Sequence, residues 1–211
     1  MAMSPSDLAK AIHDALGEDG DPSDEVKGMA EAIIGEITTM GMVSFLPQTI
    51  SGTCPPGGPL SAGAGQLGLL IGPSGPTLAV QMAAKMNKPG PTPQLIGMAT
   101  GITTHLLTAQ VSFSPGGISG TCANTPVSPG PFIGMGSGGK ISGMAGDGMA
   151  SLVAAGLGQS ANDKVKKKCA AIVDFIQQNA EVMFAMGTVL GTAPPGGGPL
   201  IAGTAIGGRV S

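Results

Sequence analysis

The same order of patterns runs through this chain three times. Leu8-Ala9, Leu78-Ala79 and Met149-Ala150 each begin a short helix pattern, a second helix pattern follows, and each copy ends in a Gly/Pro-rich loop. The loops read Ile50-Ser51-Gly52-Thr53-Cys54-Pro55-Pro56-Gly57-Gly58-Pro59-Leu60, then Ile118-Ser119-Gly120-Thr121-Cys122, then Leu190-Gly191-Thr192-Ala193-Pro194-Pro195-Gly196-Gly197-Gly198-Pro199-Leu200. Their Gly-Thr pairs lie 68 and 71 residues apart. Repetition at such a period means that one supersecondary unit recurs and buries its apolar face against its neighbours. A unit of about 70 residues is near the size at which a core becomes marginal, so the copies must share apolar surface or borrow it from a partner. The expectation is one pseudo-threefold unit over residues 1–211, with repeats at about 5–73, 74–143 and 144–211.

The first helix of each copy keeps one apolar stripe. Leu8, Ile12 and Leu16 recur as Leu78, Met82 and Met86, then as Met149, Val153 and Leu157, all spaced i, i+4, i+8. Gly17, Asn87 and Gly158 follow as helix stops. The second helices begin after Pro22-Ser23-Asp24, Pro91-Thr92-Pro93 and Ser160-Ala161-Asn162-Asp163. Met29, Ile33 and Ile37 match Met98, Ile102 and Leu106, while Cys169, Ile172, Val173 and Ile176 serve the third copy. There the helix pattern continues through Phe175, Val182, Met183 and Phe184.

Short β-like segments follow at Met42-Val43-Ser44-Phe45, Gln110-Val111-Ser112-Phe113 and Gly187-Thr188-Val189-Leu190. Closers appear at Gly138-Gly139-Lys140-Ile141-Ser142 and Gly207-Gly208-Arg209-Val210-Ser211, which could pair with the openings as loose hairpins or cover a neighbour's sheet edge. Proline density limits the loops to short edge strands or polyproline-like runs. The fold class expected is therefore mainly α with small β elements, each repeat being a helix pair plus a Gly/Pro-rich loop or hairpin.

Composition narrows the function. Only 11% of residues are charged, with a net charge of −3, against about 25% charged in an ordinary soluble domain. A surface this poor in charge and rich in Met and Gly suits contact with other protein better than exposure to water. Scarce aromatics and an acidic balance argue against nucleic-acid binding. The polar first twenty residues give no secretory leader, and the apolar run at 67–71 is cut by Gly72-Pro73, far short of a membrane span. Lys164, Lys166, Lys167 and Lys168 read as a solvated or partner-facing helix start.

Several small motifs invite chemistry and fail on context. Gly63-Ala64-Gly65-Gln66-Leu67-Gly68 has the spacing of a dinucleotide fingerprint, yet a Pro-Pro-Gly-Gly-Pro loop precedes it instead of a buried strand. Gly134-Met135-Gly136-Ser137-Gly138-Gly139-Lys140 approaches a phosphate loop, but Ile141 stands where the metal-binding hydroxyl is needed. The segment also recurs at the chain end as Gly-Gly-Arg-Val-Ser, without a helix to follow. His13 and His105 read as packing or surface residues, and the three cysteines make no zinc pattern. Cys54 and Cys122 hold equivalent loop positions, with Ala193 in the third. If the loops meet near a threefold axis they can form a disulfide, and otherwise free thiols of a reducing cytoplasm are expected. No catalytic constellation, cofactor site or metal site is expected.

The order helix, Val-Ser-Phe-like strand, Gly-Thr, Pro/Gly loop with Pro-Leu, then Gly-Lys-Ile-Ser resembles poorly characterised virion structural proteins of tailed bacteriophages. The residues that carry the resemblance are 43–60, 111–122 with 138–142, and 189–211. It implies a non-enzymatic part of a virion, with tail or baseplate ahead of head or neck, assembled in the host bacterial cytoplasm. Its partners would be other virion proteins and copies of itself. The loops then supply the contacts, through Thr53, Cys54, Pro55, Pro56, Thr121, Cys122, Thr192, Pro194 and Pro195, together with Phe184 beside the third loop. The alternatives are a tip or surface binding module of a contractile injection apparatus and, more remotely, a nucleotide-dependent enzyme.

Overall fold

The computed structural model describes residues 3–211, as six α-helices and seven β-strands. They separate into two compact units, each assembled from three stretches of chain. One holds the helices, from 3–41, Gly72–Ala109 and Gly143–Ala180, and the other holds the strands, from Met42–Ile71, Gln110–Ser142 and Glu181–Ser211. The chain passes between them five times, because each repeat gives its helix pair to one unit and its strand pair to the other.

The helical unit alternates α1 (Pro5–Leu16), α2 (Asp24–Met40), α3 (Gly75–Lys85), α4 (Pro93–Leu106), α5 (Gly146–Gly156) and α6 (Asp163–Asn179). Each packs on the next, and α1 packs on α6 to close a ring. The side chains of Ser23, Thr92 and Asn162 accept a backbone N–H bond in the first turn of α2, α4 and α6. Gly17, Asn87 and Gly158 take positive φ just past the first helices, as helix-stop chemistry requires.

Two of the ring's junctions close on glycine. A Cβ on Gly28 would lie 2.6 Å from the Lys85 carbonyl oxygen, and one on Gly97 would overlap the Gly156 carbonyl. The equivalent residue of α6 is Lys167, which lines a groove of about 380 Å³ with Ala11 and Ala15 of α1. Buried polar ties follow the same rule. Glu36 accepts from the Ser74 backbone N–H at 2.8 Å, and His105 Nε2 accepts from the Ala145 N–H at 3.1 Å. These ties hold the starts of α3 and α5, whereas Phe175 occupies the third such position.

The strand unit overturns the expectation of a mainly helical chain with small β elements. Its strands are β1 (Met42–Cys54), β2 (Ser61–Ile71), β3 (Gln110–Cys122), β4 (Gly130–Ser142), β5 (Glu181–Ala193), the two-residue β6 (Gly198–Pro199) and β7 (Ile201–Val210). Neighbours pair antiparallel in the order β1-β2-β3-β4-β5-β7, and β7 returns to β1, so the six long strands form a closed barrel. Closure removes the free edges on which short, proline-limited strands had been expected. The third helix is also not extended: α6 ends at Asn179, and Val182, Met183 and Phe184 belong to β5. Val182 and Phe184 are thus the counterparts of Val43 and Phe45, and of Val111 and Phe113.

The barrel core is built in layers of three. Val43, Val111 and Val182 form one layer, and Phe45, Phe113 and Phe184 the next. Ile50, Ile118 and Val189 form a third, and Cys54, Cys122 and Ala193 a fourth. All twelve side chains are at most 2% exposed. The three rings meet with every pair of centroids 5.8 Å apart, tilted or edge-on. Such pairs contribute about 0.5–1.5 kcal/mol each beyond their burial.

Between the Phe and Ile/Val layers every first strand bulges, and the register shifts between Ser44 and Ile50, Ser112 and Ile118, and Met183 and Val189. Gln48, Gly116 and Gly187 take positive φ there, which restores the inward phase after an odd number of residues. Pro47 and Pro115 sit within these bulges, which is how prolines enter a 13-residue strand.

Candidate functional site

The loops that follow β1, β3 and β5 interlock at one end of the barrel. Leu60 donates its N–H to the Gly120 carbonyl, Cys122 to Gly58, and Leu200 to Gly52. The Asn124 amide donates to the Pro194 carbonyl, and Gly196 N–H to Thr125. Cys54 and Cys122 are joined by a disulfide, with Cα atoms 5.7 Å apart. Free thiols are therefore not what this end of the barrel contains. Only Cys169, buried in α6, is free, and burial pushes its thiol up to about 11, so it stays protonated and unreactive.

The residues named as loop contacts divide into two groups. Thr53, Thr121 and Thr192 hold equivalent exposed positions, Pro56 and Pro195 are exposed, and Pro55 and Pro194 are half-buried. Cys54, Cys122 and Phe184 are buried in the barrel and cannot meet a partner; Phe184 belongs to the ring layer. The second loop, which lacks the Pro-Pro-Gly-Gly-Pro core, instead projects Val127, 89% exposed, from a turn held by Thr125 and Ser128.

The glycine motifs have a packing explanation. The dinucleotide-like run lies wholly inside β2, and the phosphate-loop-like run inside β4. A Cβ at Gly68, Gly139 or Gly208 would come within 2.5 Å of the ring of Phe45, Phe113 or Phe184 respectively. These glycines face the aromatic layer and leave room for it. Among the described residues no group of His, Cys, Asp and Glu is placed to hold a metal ion, and no helix is long and apolar enough to cross a membrane.

A feature the sequence reading missed is the barrel's outer wall. The barrel unit carries only three charged side chains, Lys140, Glu181 and Arg209. All three lie at the strand ends away from the loops: Lys140 pairs with Glu181 across β4 and β5, and Arg209 faces Met183 across β7 and β5. Nearer the loops, register places Thr121, Ile133, Leu190 and Thr204 in one row across β3, β4, β5 and β7. Ile133 (47% exposed), Leu190 (46%) and Ile201 (53%) stand open to solvent. The signal was present as apolar residues alternating with buried ones, but it can be read only once these segments are strands.

Burial holds the His105 imidazole below the ordinary histidine value. The unfolded chain therefore takes up this proton first, so the stability contributed by neutral His105 is complete above pH ~6.5 and fades as pH falls toward the depressed native value. Wild type should lose up to about 1.4 kcal/mol per pH unit from this group over that interval. His105→Gln, which keeps an acceptor for Ala145, should lack that component of the slope. Denaturant titrations between pH 7.5 and 5 with equal slopes for both proteins would refute this assignment.

No family, curated protein or solved structure matches this chain.

Proposed function

We propose that this chain is a non-enzymatic structural protein of a phage particle, making subunit contacts through the loop end and adjoining wall of its barrel. The observation that carries the reading is the barrel's surface: three charges in the whole unit, none near the loops, with Ile133, Leu190 and Ile201 exposed beside them. Water-facing walls of free monomers are normally studded with charge, whereas interface cores are depleted of it. The hydrogen-bonded, disulfide-joined loops support the same reading, because a pre-ordered surface loses less entropy on docking. The Gly-Thr and Gly-Lys-Ile-Ser resemblance supports the virion setting, in which the partners are other virion proteins and further copies of this chain.

The test has two arms. Mass spectrometry of purified particles that encode the chain should find it at fixed stoichiometry, and its absence refutes the virion setting. Leu190→Glu with Ile133→Lys, both surface changes, should alter stability by no more than about 0.5 kcal/mol each. The same pair should abolish incorporation into particles or co-purifying assemblies. Unchanged incorporation would show that the wall is not the contact.

A further inference from the structure

The helical unit carries a second feature that subunit contact does not require. At the end of the ring where the first helices stop and the second helices begin, Met29, Met98 and Lys168 occupy the same position of α2, α4 and α6, six residues beyond the caps Ser23, Thr92 and Asn162. All three line one apolar cavity of about 180 Å³, whose floor is Ile102, Val153, Leu157 and Ile172. The same three also line an adjoining polar recess of about 350 Å³, where Glu18, Glu25 and Lys88 stand. Lys168 thus sits between an apolar floor and a wet mouth, where the other two repeats place methionine.

Charge at the mouth is uneven. Glu25 is held by Lys88 at 2.8 Å, and that ammonium keeps its carboxyl below the usual range. Glu18 lies 3.5 Å from His13 Nδ1. No hydrogen bond or salt bridge engages the Lys168 ammonium among the described residues. Its neighbours Lys164, Lys166 and Lys167 are exposed, whereas Lys168 is half-buried. Lys168 is a cation held over an apolar cavity, its charge reaching the Glu25 carboxylate that Lys88 binds, and such a cation complements an anionic head on an apolar tail.

We infer that this pocket binds a short aliphatic carboxylate, its chain among Met29, Met98 and Ile102 and its head on Lys168. The cavity lies below the roughly 300–1,000 Å³ of most small-molecule pockets, which favours a short, unbranched chain over a long lipid. The binding is independent of the barrel wall, so failure of one proposal leaves the other standing.

Methyl-labelled methionine NMR on the full chain tests it, with octanoate, octanol and octylamine as probes. Octanoate should shift the Met29 and Met98 methyls saturably, octanol should do so at least tenfold more weakly, and octylamine should not bind. Lys168→Met, which makes the third repeat match the other two, should weaken octanoate about tenfold or more and leave octanol unchanged. Val153→Phe should fill the cavity and remove both; if that variant does not fold, the Lys168→Met comparison carries the test alone. No shift with octanoate, or equal affinity for octanoate and octanol, overturns the inference.

Discussion

Phe113→Ala is expected to lose about 3–5 kcal/mol, among the largest single losses available in this chain. The ring is 2% exposed and meets Phe45 and Phe184 at centroid distances of 5.8 Å. Glycines at 136 and 139 leave space against it, so there is little nearby side chain to collapse into the void. A protein of this size shifts by about 2–4 °C in Tm per kcal/mol, so a fall of roughly 10 °C should appear by calorimetry. Phe45→Ala and Phe184→Ala should cost the same within error, because the three repeats contribute equivalent rings to one layer. Gly139→Ala tests the other side of the contact, since its Cβ would lie 2.5 Å from the Phe113 ring. It should destabilise by about 1–3 kcal/mol alone and by markedly less when combined with Phe113→Leu. A loss below about 1 kcal/mol for Phe113→Ala would show that the aromatic layer does not hold the barrel.

Breaking the Cys54–Cys122 bond should have a similar effect by a different route. The bond closes a loop across a sequence separation of 68 residues. The chain-entropy model assigns a closure of that length about 4 kcal/mol, through restriction of the unfolded chain. Cys54→Ser, Cys122→Ser and the double variant should all fall by the same amount, because each breaks one and the same bond. Reductant should bring wild type down to their level and leave them unaffected. Cys169 should not substitute as a partner, because it is buried in α6 and its thiol is raised to about 11. Wild type that melts identically with and without reductant would mean that the two sulfurs are not bonded in solution.

Helix signals in this chain are local, and for that reason they were legible. Stripes at Leu8, Ile12 and Leu16 and their counterparts, stops at Gly17, Asn87 and Gly158, and starts at Ser23, Thr92 and Asn162 all sit where the sequence placed them. The strands were legible only as short pieces: the β-like segments at 42–45, 110–113 and 187–190 and the closers at 138–142 and 207–211 fall on β1, β3, β5, β4 and β7, but the length of those strands was not legible. A bulge between Phe45 and Ile50, repeated between Phe113 and Ile118 and between Phe184 and Val189, breaks the two-residue alternation by which a strand is recognised. Proline at 47 and 115 and dense glycine in β2 and β4 then disguised long strands as loops. The third strand was aligned too late, at Gly187, because Val182 and Phe184 extended an apolar run out of α6. The residues expected to make contacts suffered the same ambiguity: Thr53, Thr121 and Thr192 are exposed, while Phe184, two residues into the inward phase after Val182, is not.

The threefold repetition, the helix pairs and the scarcity of charge were determined by the sequence alone, since each depends on residues close in the chain or on composition. Closure of six strands into a barrel, the meeting of three rings, the joining of Cys54 to Cys122 and the placing of Lys168 over an apolar cavity were decided only in three dimensions. Each brings together residues of different repeats, which no local pattern records. Glycine carries no side chain whose pattern could announce its role, and its role at positions 68, 139 and 208 is to leave room for a ring contributed by another strand of the barrel.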